Sequence, residues 1–416
     1  MIALALDEVR ALCPGELEAA PWADVVTGVQ IDSRRVEEGD LFVAVGSGAD
    51  FRKHAFARGA VATLVPNDAF AALATLGRTV RDRSRARFVG ITGSTGKTST
   101  KDILLALCTP HARTIANERS YNAELGVPLT LCRLEEDTEV CILELAMRGF
   151  GQIAALCATA RPEIGLVTNV GPAHLALVGS VDGVVRAKSE LIEALPSGGV
   201  AVVPEDFPVR RDDLEVVRFG EPEADVDEAG TTIHFRGRAI RFDFTARHHA
   251  RNALAALHAA HALGIVPDDS VEVAFSAWRG EQMPLPGGGV MIVDCWNANP
   301  VSMRAALEHL VQRADGRRTV AVLGDMAELG DAAPRYHEEI AATIRTLGID
   351  VVFAVGRLSE VYREAAPVTH WVSELDRDTL VEAIRDELAP GDVVLVKASR
   401  AVGLEVVADA LAAVRA

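Results

Sequence analysis

The feature that most narrows what this chain can fold into is an apolar strand, a glycine loop and a helix opening in unbroken succession. Phe88-Val89-Gly90-Ile91-Thr92 reads as a buried strand, Gly93-Ser94-Thr95-Gly96-Lys97-Thr98 as the loop, and Ser99 to Leu107 as the start of a helix. That order puts successive backbone N–H groups and a helix N-terminus in front of one anion, with Lys97 reaching the outer phosphates and the Thr98 hydroxyl available to Mg²⁺. Gly93, Ser94, Thr95, Gly96, Lys97, Thr98 and Ser99 are therefore the candidate nucleotide-binding residues. The usual G-x-x-x-x-G-K-[ST] spacing calls for Gly at position 91, where this chain has Ile91. A glycine at 93 gives the shorter G-x-x-G-K-T instead. A chance glycine turn with a solvated lysine would not be flanked by both a strand and a helix.

A phosphate loop of this kind needs a parallel sheet around it, and 416 residues is enough for two or three cores. Short apolar runs at 87–92, 140–145, 164–170 and 200–203 alternate with helical patterns, which indicates a doubly wound sheet covered on both faces. The pattern restarts with strands at 290–294, 319–324, 351–356 and 393–397 and helices near 301–314, 334–347 and 404–414. Between the two lies Pro284 to Gly289, with two Pro and three Gly, read as a boundary. The Arg-rich run from Arg78 to Arg87 reads as a solvated linker and the earlier boundary. The expected fold is α/β in three domains: a smaller mixed α/β N-terminal domain (1–84), a central P-loop doubly wound parallel sheet (85–286), and a C-terminal Rossmann-like domain (287–416).

Charge and cysteine usage limit the function. Lys plus Arg minus Asp plus Glu is 42 − 59 = −17, which argues against a nucleic-acid-tracking surface and predicts repulsion from anionic lipid. No uncharged apolar run reaches membrane-spanning length, and the apolar start, Met1 to Leu6, lacks a basic region before it and meets Asp7 and Glu8 at once. The six cysteines form no CxxC pair and read as reduced core thiols, so the expected compartment is the cytoplasm. No nucleic-acid partner and no membrane span are expected, and the chain is expected to be a monomer.

A phosphate loop alone would serve a switch GTPase, a motor, a kinase or an ATP-driven ligase. Glu144 ends the run Cys141-Ile142-Leu143 and should emerge at the carboxyl edge of its strand beside the loop, where a carboxylate can hold Mg²⁺. His174 follows another strand through Asn169-Val170-Gly171-Pro172 at the same edge, and Lys188 lies in Ala187-Lys188-Ser189-Glu190 at a helix start. Taken singly, each is an ordinary polar residue.

Taken together with the rest of the chain, these pieces resemble the Mur ligases, ATP-dependent amide-bond-forming enzymes of peptidoglycan precursor synthesis. The resemblance is carried in order by Asp32-Ser33-Arg34, Gly39-Asp40-Leu41-Phe42-Val43-Ala44, His54 with Phe56, the shortened phosphate loop with Thr100-Lys101, and Tyr121-Asn122 with Leu125-Gly126-Val127-Pro128. It continues through Glu144 with Met147-Arg148-Gly149, Thr168-Asn169 with Ala173-His174, Lys188, and His248 with Asn252-Ala253. It ends with Asp294, Asn297-Ala298-Asn299-Pro300, Leu323-Gly324-Asp325-Met326-Ala327-Glu328-Leu329-Gly330 and Lys397-Ala398-Ser399-Arg400. The Asn-Ala-Asn-Pro element is similar to that of the member that adds D-alanyl-D-alanine, and it argues against relatives that add another amino acid or glutamate to folate.

The resemblance implies ATP and two Mg²⁺ ions, with Lys97, Glu144, His174 and Lys188 as catalytic residues. Thr98 and Glu144 would serve one ion; Glu144, His174 and Lys188, the last carbamylated by CO₂, would hold the other. Asn252 is implied at the adenine, Asp294 at the ribose, Ser33 and Arg34 at the UDP end of UDP-MurNAc-tripeptide, Asn122 near the phosphate and substrate channel, and Asn297 and Asn299 at the dipeptide. Several positions depart from the family pattern. Cys295-Trp296 stands where Ser-Tyr is common, His249 where Asn is usual, and Ala398 where Gly is usual. No Arg follows Gly280 to reach the γ-phosphate, and Arg279 is the nearby candidate to replace it.

Overall fold

The computed structural model describes residues 1–118 and 121–412. Its centre is a six-stranded, all-parallel sheet in the spatial order Glu215–Phe219, Val200–Pro204, Ile164–Val167, Arg87–Thr92, Val140–Glu144, Thr114–Ala116. The strand Arg87–Thr92 is mid-sheet because both its faces are apolar. Phe88 packs on one side with Cys141, Leu143 and Val167, while Val89 and Ile91 pack on the other with Ile142 and Leu166. Helices Lys97–Cys108 and Arg247–Ala262 cover the second face, and helices Ala69–Arg83, Gln152–Ala160 and Val181–Glu193 cover the first. Successive crossovers leave the sheet on opposite sides of Arg87–Thr92, so the phosphate loop opens at the carboxyl edge where the winding reverses.

The C-terminal sheet repeats this logic. Its order is Glu281–Leu285, Gly289–Val293, Val393–Lys397, Thr319–Gly324, Val351–Val355, Val368–Val372, parallel except for the first strand. The Pro/Gly stretch read as a boundary is divided: Pro284 belongs to the antiparallel edge strand, where a missing N–H is tolerated, and Pro286–Gly288 make the turn. The expected helix at 404–414 is found as Glu405–Ala412; positions 413 and 414 lie outside the described residues.

Two further findings differ from the sequence reading. The Arg-rich run is helical as far as Arg83 rather than a solvated linker, because Ala72, Leu73, Leu76 and Val80 form an apolar stripe at helical spacing. Arg81 lies over the Phe88 ring at 4.6 Å and donates to the Ala160 carbonyl, so its stem packs rather than waves in solvent. Residues 224–271 contain a four-stranded sheet, antiparallel except for its last pairing, that the alternating βα reading did not include. The N-terminal region carries its own four-stranded sheet, ordered Gly15–Ala19, Ala62–Pro66, Asp40–Val43, Gly28–Gln30. Among the described residues no helix is long and apolar enough to cross a membrane. All six cysteines are free and buried, and burial pushes the thiols up to about 11 for Cys13 and to about 12 for Cys108, Cys132, Cys141, Cys157 and Cys295.

Candidate active site

The carboxyl edges of the two parallel sheets face each other across a cleft of about 460 Å³. Its central-domain wall includes Ser94 to Ser99, Asn122, Glu144, His174 and Asn252, and its C-terminal wall includes Asp294, Trp296 to Asn299 and Lys397. The phosphate loop is a rigid cradle. Gly93 passes so close to Thr168 that a Cβ would sit 1.8 Å from its Oγ1, and Gly96, at φ +75, would place a Cβ 2.4 Å from Asn252 Oδ1. Asn169 spans the loop from behind, accepting from Thr95 N through Oδ1 at 3.0 Å and donating through Nδ2 to Thr95 Oγ1 at 2.6 Å. Helix Lys97–Cys108 begins immediately after Gly96, aiming its positive end into the cleft. Lys97 Nζ donates to the Gly93 carbonyl at 2.7 Å, and burial draws its pKa below the ordinary lysine value.

Glu144 emerges at the strand end as expected and is 1% exposed. One carboxylate oxygen accepts from Thr98 Oγ1 at 2.9 Å, the other from Asn122 Nδ2 at 2.7 Å. Asn117, which the sequence reading did not single out, fixes the backbone here by accepting from Glu144 N through Oδ1. Its signal was only a polar residue at the end of the three-residue strand Thr114–Ala116.

The structure brings the remaining expected metal-site residues only partly together. Lys188 is inside helix Val181–Glu193 rather than at its start, which is Ser180, whose hydroxyl caps Gly183 N. It is 1% exposed, and burial followed by the charge of Lys97 holds its amine well below the usual lysine range. His174, in left-handed backbone at φ +57, lines the cleft and places Nδ1 2.5 Å from Glu328 Oε2 of the C-terminal domain. Among the described residues no group of three His, Cys, Asp or Glu side chains converges to hold a metal.

Across the cleft, Asp294 is held by Lys397, whose Nζ donates to Oδ2 at 2.6 Å and also to the Asn297 carbonyl at 3.1 Å. Asn297 is exposed and its Oδ1 accepts from Ala298 N. Asn299 is committed elsewhere. Its Oδ1 accepts from Ser302 N in the capping box of helix Pro300–Ala314, and its Nδ2 reaches the Ser94 carbonyl of the phosphate loop at 3.4 Å. Asn299 thus joins the Asn297–Pro300 loop to the phosphate loop directly. Asn299→Ala is expected to cost about 1 kcal/mol through the lost cap, read as a lower unfolding midpoint.

Arg279 reaches the site from the segment linking the two domains. Ser276 is pinned to the phosphate-loop helix, its N and Oγ donating to Asp102 at 2.8 and 3.2 Å. Trp278 at φ +61 and Gly280 at φ +78 then turn the chain so that Arg279 Nη2 donates to Thr98 Oγ1 at 3.1 Å. Its guanidinium lies 5.7 Å from the Trp296 ring, which stacks on Trp278. Arg279, the candidate to replace the missing arginine, and Trp296 are therefore neighbours.

Ser33 and Arg34 lie outside this cleft. Ser33 is buried with Oγ 3.0 Å from His54 Nδ1. Arg34 forks onto Asp32 at 2.9 and 2.7 Å, holding that carboxyl down to about 2, and lines a hollow of about 530 Å³ with Arg35, Arg58 and Arg133. Tyr121 lines this hollow and its neighbour Asn122 lines the nucleotide cleft, so consecutive residues border the two.

The chain is similar to known proteins over most of its length. Residues 91–260 match the Mur ligase middle domain, and residues 278–400 match the Mur ligase, glutamate ligase domain. The chain is 31% identical to the UDP-N-acetylmuramoyl-tripeptide--D-alanyl-D-alanine ligase of Escherichia coli (strain K12), over 99% of both chains. It is 35% identical to the enzyme of that name from Mycobacterium tuberculosis (strain H37Rv), over 93% of this chain and 92% of the relative. Among solved structures it is similar to MurF from Acinetobacter baumannii, with a TM-score of 0.84 and 26% identity over 99% of both chains. It is also similar to the MurF ligase of Thermotoga maritima in complex with ADP, with a TM-score of 0.80 and 26% identity over 93% of this chain and 97% of that one.

Proposed function

Because this chain belongs to the Mur ligase family, we propose that it joins D-alanyl-D-alanine to UDP-N-acetylmuramoyl-tripeptide at the expense of ATP, in peptidoglycan precursor synthesis. The observation that carries the reading is the contact of Asn299 with the Ser94 carbonyl, which sets the Asn-Ala-Asn-Pro loop against the phosphate loop in one cleft. In the reaction, the tripeptide carboxylate attacks the γ-phosphorus of ATP, releasing ADP and leaving an acyl phosphate. The dipeptide amine then attacks the acyl carbon, loses a proton and expels phosphate. Activation is needed because a bare carboxylate is a poor electrophile. Residues 1–84 are assigned to the UDP end, 85–286 to ATP and 287–416 to the dipeptide, and the two facing walls make domain closure part of the cycle.

The first step brings an anion onto an anion, so positive charge near the γ-phosphate is the main requirement. Lys97 supplies one charge by leaving the Gly93 carbonyl for the phosphate. Arg279, already on Thr98, supplies another from the C-terminal side and takes the part of the missing arginine after Gly280. Thr98 Oγ1 and the buried Glu144 form an all-oxygen pair suited to a small hard cation, so they fit one Mg²⁺. Bound there, magnesium would neutralise the phosphate oxygens. A second ion would depend on oxygens that Lys188 gains as a carbamate, with Glu144 and with Nε2 of His174, whose Nδ1 is held by Glu328. The depressed pKa of Lys188 favours the neutral amine that reaction with CO₂ requires. Asn252, Asp294, Ser33, Arg34 and Asn122 keep the roles that the family resemblance implies for them, while the dipeptide is left chiefly to Asn297. We further propose that the enzyme acts as a monomer in the cytoplasm, where reduced buried thiols persist.

The test is release of phosphate from ATP with UDP-MurNAc-tripeptide and candidate acceptors, with the product weighed by mass spectrometry. D-alanyl-D-alanine should support turnover and single amino acids should not; faster turnover with meso-diaminopimelate, lysine or glutamate would overturn the assigned acceptor. Arg279→Ala should lower kcat roughly 10- to 100-fold with a smaller change in the KM for the dipeptide. An equal fall in both parameters for both substrates would point to misfolding instead.

A further inference from the structure

His249 adjoins the nucleotide cleft and occupies an unusual position. It is 4% exposed in the first turn of helix Arg247–Ala262, with its ring stacked on Phe275 at 4.5 Å and 19° and edge-on to Phe244 at 5.4 Å. The stack fixes the plane of the imidazole, and with it the direction of both nitrogens. Nδ1 lies 3.4 Å from Asn252 Nδ2 one turn along the helix. The Nε2 side faces the linker, where a Cβ on Gly280 would be 3.7 Å away.

An amide nitrogen only donates, so this contact requires Nδ1 to be the bare, accepting nitrogen. Burial, then the neighbouring His248 and His309, hold the imidazole well below its ordinary pKa and hence neutral, so one of its nitrogens is an acceptor, and the contact with Asn252 Nδ2 gives that role to Nδ1. With one Nδ2 hydrogen directed at His249, the Asn252 amide lies over Gly96 of the phosphate loop with its oxygen the nearer atom, 2.4 Å from where a Cβ would stand against 3.0 Å for Nδ2, and its second Nδ2 hydrogen stays on the side of that oxygen. Without an acceptor at Nδ1 the amide could rotate by half a turn and offer a donor instead.

We propose that His249 is a positioning residue that locks the Asn252 amide with its oxygen toward the bound base, and so selects nucleoside triphosphates whose base presents an amino group over those presenting a carbonyl. This inference rests on the proposed placement of Asn252 at the adenine. An adenine-like base meets the oxygen with its exocyclic amine, whereas a guanine-like base sets carbonyl against carbonyl. A buried polar group facing the wrong partner is what gives such sites their discrimination.

The test is the ratio of kcat/KM for ATP to that for GTP in D-alanyl-D-alanine-dependent phosphate release by the full-length enzyme. His249→Phe keeps a flat ring against Phe275 but has no acceptor; the ATP:GTP ratio should fall roughly tenfold or more, through KM for the nucleotide, with KM for the dipeptide unchanged. His249→Asn restores a short acceptor and should recover most of the ratio. In an Asn252→Ala background, His249→Phe should add nothing to the loss of selectivity. A folded His249→Phe enzyme with the wild-type ratio would overturn the proposal. Should that variant not fold, Asn252→Ala decides, because an unchanged ratio without the selecting oxygen overturns it equally. Failure of the wild type to use ATP with any acceptor would instead refute the ligase reading itself.

Discussion

A Lys97→Ala enzyme is expected to fold normally and to lose phosphate release by about 10²- to 10³-fold or more, the range found when one preorganised stabiliser of a charged transition state is removed. The fold should survive for physical reasons. Lys97 is the first residue of helix Lys97–Cys108, where Ala is a better helix former, and its ammonium is anchored on the Gly93 carbonyl. Burial also lowers the pKa of its ammonium, so the charge is held in place at a cost and its removal does not weaken the folded state. The loss should lie in kcat, with calorimetric binding of ADP weakened far less than turnover. Near-normal turnover by a folded Lys97→Ala protein would remove the phosphate loop from the mechanism.

That loop was legible because every requirement for it is local: strand, glycine turn and helix follow one another within twenty residues and the neighbouring strands are uninterrupted apolar runs. Glu144 was legible for the same reason, since a polar residue ending a buried parallel strand has to surface at the carboxyl edge. The sheet within 224–271 was not. Its first strand alternates half-buried and exposed residues over four positions, and the hairpin Phe235–Arg238 turns through Arg236 and Gly237, both at positive φ, a turn that Arg does not advertise. Helix Ala69–Arg83 had a clear apolar stripe, but the arginines in its last turns drew attention to charge rather than to spacing.

The site contacts that sequence could not give are those between distant segments. His174 and Glu328 are 154 positions apart, and nothing at either position announces the other. Both sit in left-handed backbone, φ +57 and φ +63, uncommon for residues with a side chain, and the Glu328 carbonyl accepts from Ala176 N. Each domain therefore bends its own chain to make this join. The pairing uses Nδ1 alone, so His174 still lines the cleft with Glu144 while its other nitrogen is left outside the join. Asn299 is the converse case: the motif was recognised, but its side chain is consumed by a helix cap and by the Ser94 carbonyl, whereas Asn297 is exposed at the cleft.

Lys188 gives the sharpest separation of function from folding. Lys188→Ala should lose at least about 10²-fold in activity, with partial recovery in acetate, whose oxygens can stand in for those of a carbamate in the space the shorter side chain leaves. The stability effect has the opposite sign. Burial and the charge of Lys97 pull the Lys188 amine well below 10.5, so the folded protein has released a proton that the unfolded chain still binds. Unfolding therefore takes up a proton, and stability must rise with pH between the folded-state pKa and 10.5. Lys188→Met fills the same space without that penalty. In CO₂-free buffer at pH 7 it should melt at a higher temperature than the wild type, and the gap should shrink as the pH approaches 10.5. An inactive variant that is also less stable at neutral pH, with no dependence on pH, would mean that Lys188 is a charged structural residue. An active one, with an unmodified amine at position 188 in crystals of the wild type, would remove it from the metal site.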